Sequence, residues 1–410
     1  MSWLSMWWSK PALKVRDPEN SRRGSHDSWA GKATTPDAVL QLATAWACIR
    51  LKSRVGGSLP LKVHTRGSGL VIDDHPLYSL LHDSPNANQT AMEFWEGQFA
   101  CMDLRGNAYA EKVYMGQRLV ALVPMHPDNT HPYRAADGSR RYRYYDPVTG
   151  FHDWGEDKVF HLRSFGTGGL VGLSPISYGR QTLGTALAAD EVAGRTFANG
   201  LQVSGFAEDQ PNAKTNQKQR EELVELFDKF SGSERAGKVM PLPPGFSFKE
   251  LSMKPEDAQL LETRGFHVEE ICRWFGVFPI LIGHAAQGQT MWGTGVESIN
   301  LAWLTLYLGP ELQRVEQAIE KQLMTAVDRS KFYVEHNVDA LLRADSQGRA
   351  ALYSVQAQNG LKTRNEMRRR ENDPPLPGGD VLTVQSNLLP LDMLGKTPPR
   401  AVQPAPGEPI

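Results

Sequence analysis

Three groups of side chains in this sequence could do chemistry. Asp73-Asp74-His75, together with His161, supply carboxylates and imidazoles, the parts of an acid–base centre that would cleave esters or, with a metal, phosphodiesters. A second stretch, GHAAQGQTMWGTGVESINLAW from Gly283 to Trp303, feeds glycines and hydroxyls into an apolar-periodic segment. Glycine-rich entries to helices are where backbone N–H groups cradle phosphate. The third group, Arg140, Arg141 and Arg143, could meet phosphate by charge alone.

Spacing weakens each of these. Three consecutive side chains diverge, and His75 precedes Pro76, so the Asp-Asp-His run reads as a turn rather than part of a triad. His161 lies inside KVFHLR, where a partly buried strand histidine is the simpler reading. Ser174 follows Gly172 but precedes Pro175, which breaks G-x-S-x-G and makes the serine a helix cap. The stretch from Gly283 to Trp303 contains no lysine, although a Walker-type loop needs one for the β- and γ-phosphates. No ATP site is expected there. Its Thr294 and Glu297 form a T-x-x-E capping box, which satisfies the first helix donors from within the chain. Gln287, Gln289, Thr290 and Trp292 remain ahead of it as uncharged polar and stacking contacts. The eleven histidines include no HExxH and none joins a cysteine at zinc spacing, so neither metal nor cofactor is expected. The three arginines alternate along a strand-like run and fit a solvated face.

Composition narrows the partners. Lys+Arg total 45 and Asp+Glu 46, a formal net charge of -1, so any nucleic-acid contact must be local rather than bulk electrostatic. Cys48, Cys101 and Cys272 are odd in number, far apart in sequence and outside any CxxC pattern, which fits reduced thiols. The opening MSWLSMWWSKPALKVRD carries Trp3, Trp7 and Trp8 but no signal-peptide core. Residues 1–34 are read as a disordered arm. No apolar run approaches the ~18–20 residues of a membrane span, and no stable membrane association is expected.

The elements that must position these groups follow from periodicity. Thr35-Pro36 opens a helix expected to run to Gly56-Gly57, and residues 59–70 alternate like a hairpin around Arg66-Gly67-Ser68-Gly69. One or two helices fill 75–105. Runs at 109–114, 118–123, 142–145 and 158–162 predict a small antiparallel sheet. From Ser174-Pro175 to Asn199-Gly200 a helix is rich in small residues, including Gly179, Gly184 and Ala188. Each glycine costs ~1 kcal/mol relative to alanine, and close approach of another helix is the usual compensation. Residues 201–250 form a polar excursion with one amphipathic helix bearing Leu223, Leu226, Phe227 and Phe230. A second helix spans 255–275 and carries Gly265. A third follows with an apolar stripe from Leu301 to Leu323, and Pro310 predicts a kink within it. Charged helical sequence covers 336–372, and a proline-rich tail follows. The fold class is therefore α+β, mainly helical. Small-residue faces and a surplus of apolar stripe suit a subunit that packs against its own copies.

These residues also carry a family resemblance. HPLYSLLHDSPNANQTAMEFWE, LRGNAYAEK, VFHLRSF with GLVGLSPISYG, LSMKPEDAQLLETR, FGVFPILIG and NEMRRRENDPPLPGGD occur in order between about 36 and 380. They resemble the signatures of the portal proteins of tailed double-stranded-DNA bacteriophages, the siphophage-type family. Phe278 departs from the pattern, which usually has a second proline before Pro279. The resemblance implies a non-enzymatic homo-dodecameric ring at one capsid vertex, in the virion and, during assembly, in the host cytoplasm. Its implied layout is wing 35–173, first stem helix 174–199, clip 200–252, second stem helix 253–278, tunnel-loop region 279–297, long kinked wing helix 298–334, crown 335–375 and flexible tail 376–410.

Gln287, Gln289, Thr290, Trp292 and Thr294 would then face double-stranded DNA. Lys214, Lys218, Arg220, Glu221 and Glu225 of the clip would dock the terminase large subunit and later a head-completion adaptor. Gly179, Gly184, Ala188 and Gly265 would pack the stem, and major capsid protein and scaffold would grip the wing. The alternatives are a metal-dependent phosphodiesterase or esterase, or a structural scaffold without DNA contact.

Overall fold

The computed structural model describes residues 28–199, 205–209, 216–230, 242, 246–250, 257–284, 294–338, 346–371 and 373–383. The chain divides into two units, Met1–Asn337 and Val338–Ile410.

In the first unit Thr35 caps α1 (Pro36–Val39) by accepting from the Ala38 N–H, with proline in the first turn. The expected single helix is interrupted after α1. Leu42 is extended and α2 (Ala43–Ser58) starts anew, an arrangement in which Val39 and Leu42 are both buried. Gly56 and Gly57 do not stop α2. They lie in its last turn, where a Cβ on Gly56 would meet the Phe99 ring at 2.7 Å and one on Gly57 the Glu96 backbone at 2.8 Å. The pair lets α2 lie directly on α4 (Ala91–Arg105), a close-approach role that composition alone does not separate from termination.

The predicted hairpin over 59–70 is also corrected. β1 (Leu61–Thr65) is followed by α3 (Pro76–His82) and α4, and its partner is a strand near residue 334, with Val63 opposite Val334. Only a single His64–Val71 bridge remains of the hairpin. Both valines of the long-range pair are buried, whereas Leu70 and Val71 stay exposed. The apolar face of β1 is satisfied from far along the chain, and the local return arm has nothing to cover.

The expected sheet region forms two three-stranded antiparallel sheets. β2 (Asn107–Met115) lies between β3 (Arg118–Met125) and β7 (Val159–Arg163). β5 (Arg140–Asp146) lies between β4 (Thr130–Arg134) and β6 (Gly150–Gly155). The β4 and β6 strands were not foreseen, because their apolar content is low. Two of the β5 arginines take the expected solvated face: Arg141 pairs with Asp153 and the Arg143 guanidinium lies 4.5 Å over the Tyr133 ring. Arg140 departs from it, lying on the face of buried Tyr142 with its side chain 23% exposed and paired with Glu156.

Among its described residues the second unit has the helices Ser346–Gln358 and Arg364–Arg370. Asn365 is buried there and donates to the Leu376 carbonyl and to Asp380, which ties the second helix to the turn around Gly378 and Gly379.

Candidate functional site

The site is built on two helices and the loop between the second helix and its successor. Ser174 accepts from the Ser177 N–H and caps α5 (Pro175–Tyr178); α6 (Arg180–Asn199) follows. Next come β8 (Gly205–Asp209), α7 (Gln217–Phe230), β9 (Phe246–Glu250) and α8 (Asp257–Phe275). The β8–β9 pair was missed in the polar excursion, while the amphipathic helix falls where expected.

Gly179 separates α5 from α6 and lies against α8: a Cβ there would meet the Trp274 ring at 2.9 Å. Trp274 in turn donates to Thr182 at 3.3 Å. Leu183 and Ala186 of α6 share a core with Cys48 and Ile49 of α2 and Ile271 and Phe275 of α8. The expected helix-to-helix role thus describes Gly179 within one protomer. Gly184 instead approaches Ser28, with which a Cβ would collide. Ala188 is half-buried, and a Cβ at Gly265 would meet none of the described residues within 4 Å.

After α8 the chain turns at Gly276, φ 65°, and again at Gly283, φ 83°, both positions that favour glycine. Phe278, the departure from the family pattern, has φ -72° and ψ 133°, dihedrals a proline would also adopt. Its ring meets Tyr307 edge-on at 5.4 Å, so the turn keeps its geometry and adds an aromatic contact. Beyond residue 284 the loop positions Gln287, Gln289, Thr290 and Trp292 lie outside the described residues. The next helix, α9 (Thr294–Trp303), begins at Thr294; its Thr294 and Glu297 side chains also lie outside.

Sequence reasoning missed a contact between the exit of α8 and the end of α9. Trp303 donates its indole N–H to the Gly276 carbonyl at 3.0 Å, and the Tyr307 ring packs where a Gly276 Cβ would be, 2.8 Å from that position. The exit from α8 and the end of α9 are therefore joined. The signal was present: an aromatic-flanked glycine, RWFGVFP, and two aromatics four residues apart at Trp303 and Tyr307.

The kink expected at Pro310 takes the form of a π-helical turn, Leu304–Leu308, before α10 (Gly309–Leu323). The Gly309 N–H donates to the Leu304 carbonyl, five residues back, and the wider turn makes room for a ring that lacks an N–H. The predicted long helix ends at Leu323, and α11 (Ala326–Lys331) and β10 (Phe332–His336), the partner of β1, follow. α10 is anchored along its length. Lys52 of α2 donates to Asp103 at 2.7 Å and to Glu311 at 2.9 Å. Glu316 accepts from the His336 backbone, and Gln322 brackets the His161 backbone with two bonds of 2.9 Å. Burial works against the Lys52 charge, but Asp103 and Glu311 outweigh it and raise its pKa. Burial also pushes Asp103 up to about 7, with Glu311 adding to the effect and Lys52 opposing it.

Of the residues expected to form the clip surface, Lys218, Arg220, Glu221 and Glu225 are exposed along α7, while Leu223 is buried; Lys214 lies outside the described residues. The acid–base groups belong to separate local networks. His75 caps α3 by accepting from the Leu77 N–H. His161 is buried, contacting Tyr142 at 3.3 Å and Asn107 at 3.0 Å, with its pKa well below the usual value through burial and the nearby Arg163 and Arg140. No metal-holding group of His, Cys, Asp and Glu occurs among the described residues.

The family model for phage portal proteins matches residues 43–372. This chain belongs to the phage portal protein family. It is 34% identical over 406 residues to the portal protein of Enterobacteria phage HK97, covering 95% of this chain and 94% of that one. It is 32% identical over 372 residues to the probable portal protein of Streptomyces phage phiC31, covering 85% and 78%. Among solved structures, a HK97-family phage portal protein from Corynebacterium diphtheriae aligns with TM-score 0.58 at 15% identity, over 77% of this chain and all of that one. A chain from the neck of a native gene transfer agent particle, computed with C12 symmetry, aligns with TM-score 0.56 at 23% identity over 91% and 98%. The portal fold, α+β with small antiparallel sheets, is common to them.

Proposed function

We propose that twelve copies of this chain form a ring at one capsid vertex, a conduit through which double-stranded DNA enters during packaging and leaves during infection. The observation that carries the reading is the family match across residues 43–372, supported by a C12-symmetric neck structure of the same fold. In this reading α5, α6 and α8 are stem helices, and residues 285–293 face the DNA. A lysine-free collar contacts phosphates without holding them, since each lysine that neutralises a phosphate adds to binding strength. The protein has no catalytic role. A separate terminase large subunit supplies ATP-driven force at the clip, contacting the charged side of α7. A head-completion adaptor later takes its place, and major capsid protein and scaffold hold the wing. The ring assembles in the host cytoplasm and persists in the virion.

Negative-stain microscopy with light scattering of the purified full chain tests this directly. A hollow ring of twelve copies with an open channel is the expected result. A monomer, or a closed particle without a central hole, overturns the reading.

A further inference from the structure

Cys48 of α2 and Cys272 of α8 are 224 residues apart in sequence, yet their sulfurs lie 3.8 Å apart and both residues are fully buried. They belong to the core that joins α2, α6 and α8, and neither is in a disulfide. One thiol donates to the other sulfur across the helix contact. Because the sulfurs already touch, joining them at ~2.0 Å requires side-chain rotation and a small approach, not a change of partners.

We propose that Cys48 and Cys272 are a disulfide-forming site, which a small peroxide oxidises to lock α2 onto α8. One sulfur, as thiolate, attacks the peroxide O–O bond and becomes a sulfenic acid while the other oxygen leaves as water after taking up a proton. The second sulfur then attacks the sulfenic sulfur, the S–S bond forms and a second water departs. Two thiols and one peroxide give one disulfide and two waters; the sulfurs are oxidised and the peroxide oxygens reduced.

The pair's electrostatics support a division of labour. Cys48 is held protonated by its hydrogen bond to Cys272 and by burial, whereas Cys272 is lowered by accepting that bond, which makes Cys272 the first attacker and Cys48 the resolving thiol. Peroxide reaches the pair through local opening of the helix contact. Cytosolic thiols are kept reduced and particle surfaces outside the cell are not. The lock therefore forms after release, an assignment of timing that rests on the portal reading; the chemistry does not.

The full-length protein is treated with hydrogen peroxide, unfolded, alkylated and mapped by mass spectrometry without reductant. The expected product is a Cys48–Cys272 linked peptide two hydrogens lighter than its parts, reversed by dithiothreitol, with Cys101 still alkylated or oxidised singly. The melting temperature of the oxidised wild type rises, and the rise is absent in C48S/C272S. Recovery of both thiols fully alkylated under conditions that oxidise Cys101, or a dominant link to Cys101, overturns the proposal. Peptide mapping of the wild type needs neither a folded variant nor a ring, so failure here is distinct from failure of the ring in microscopy.

Discussion

At the residue scale, the centre of the first unit is a single cation shared by two carboxylates. Lys52 is buried and bonded to Asp103 and Glu311, and removing it leaves a buried carboxylate uncompensated. Lys52→Met is expected to destabilise the fold by about 3–5 kcal/mol, read as a lower urea midpoint. The pH dependence has two opposing contributions. Asp103, lifted by burial from 3.8 to about 7, keeps its proton in the native state where the unfolded chain has lost it. Its stabilisation is complete below about pH 3.8 and drains away as pH rises to about 7. His161, lowered from 6.5 by burial, is native-neutral where the unfolded chain is protonated. Its contribution is complete above about pH 6.5 and falls as the solution becomes more acidic. Stability profiles of Asp103→Asn and His161→Gln should therefore tilt in opposite directions below pH 6.5; profiles parallel to wild type would contradict both assignments.

At the element scale, the Gly276–Trp303 bond and the Phe278–Tyr307 contact join the exit of α8 to the end of α9. Trp303→Phe keeps an aromatic ring and deletes the donor, with an expected cost of about 1 kcal/mol. Because the bond joins the segments that precede and follow residues 284–294, proteolysis there should quicken more than proteolysis elsewhere; equal rates at all sites would contradict that link. The helix downstream is held at Glu311, Glu316, Glu320 and Gln322, so the π turn before Gly309 is the place where its direction is set. This is why the proline's effect, legible as a kink, appears as a wider turn and not as a break.

At the scale of the whole molecule, Leu301, Leu306 and Tyr307 are exposed on the α9 and π-turn surface, and Gly265 has open space beside it among the described residues. Subunit contacts in a ring would cover such faces. Gly265→Leu should leave the protomer folded by circular dichroism and reduce ring assembly by light scattering; intact rings would show that this face meets no neighbour. For the proposed channel, Thr290→Lys is expected to leave rings intact while lowering DNA packaging, since one added cation per subunit would retain phosphate. Normal head filling by that variant would remove the loop from the conduit's mechanism.

What the sequence determined by itself was local and periodic. Capping serines and threonines, prolines at first turns and the three-and-four spacing of the long helix located Ser174, Thr35 and the Leu301–Leu323 stripe, because those signals depend on neighbours within a few residues. The ordered motif blocks likewise determined the family. Only tertiary structure decided that Gly56 and Gly57 bring two helices together instead of ending one, and that β1 pairs with β10 and not with its own return arm. It also brought Cys48 to Cys272 and Lys52 to Glu311. Each of these outcomes depends on which distant surface removes a side chain from water or supplies its charge partner, and a linear pattern does not contain that choice.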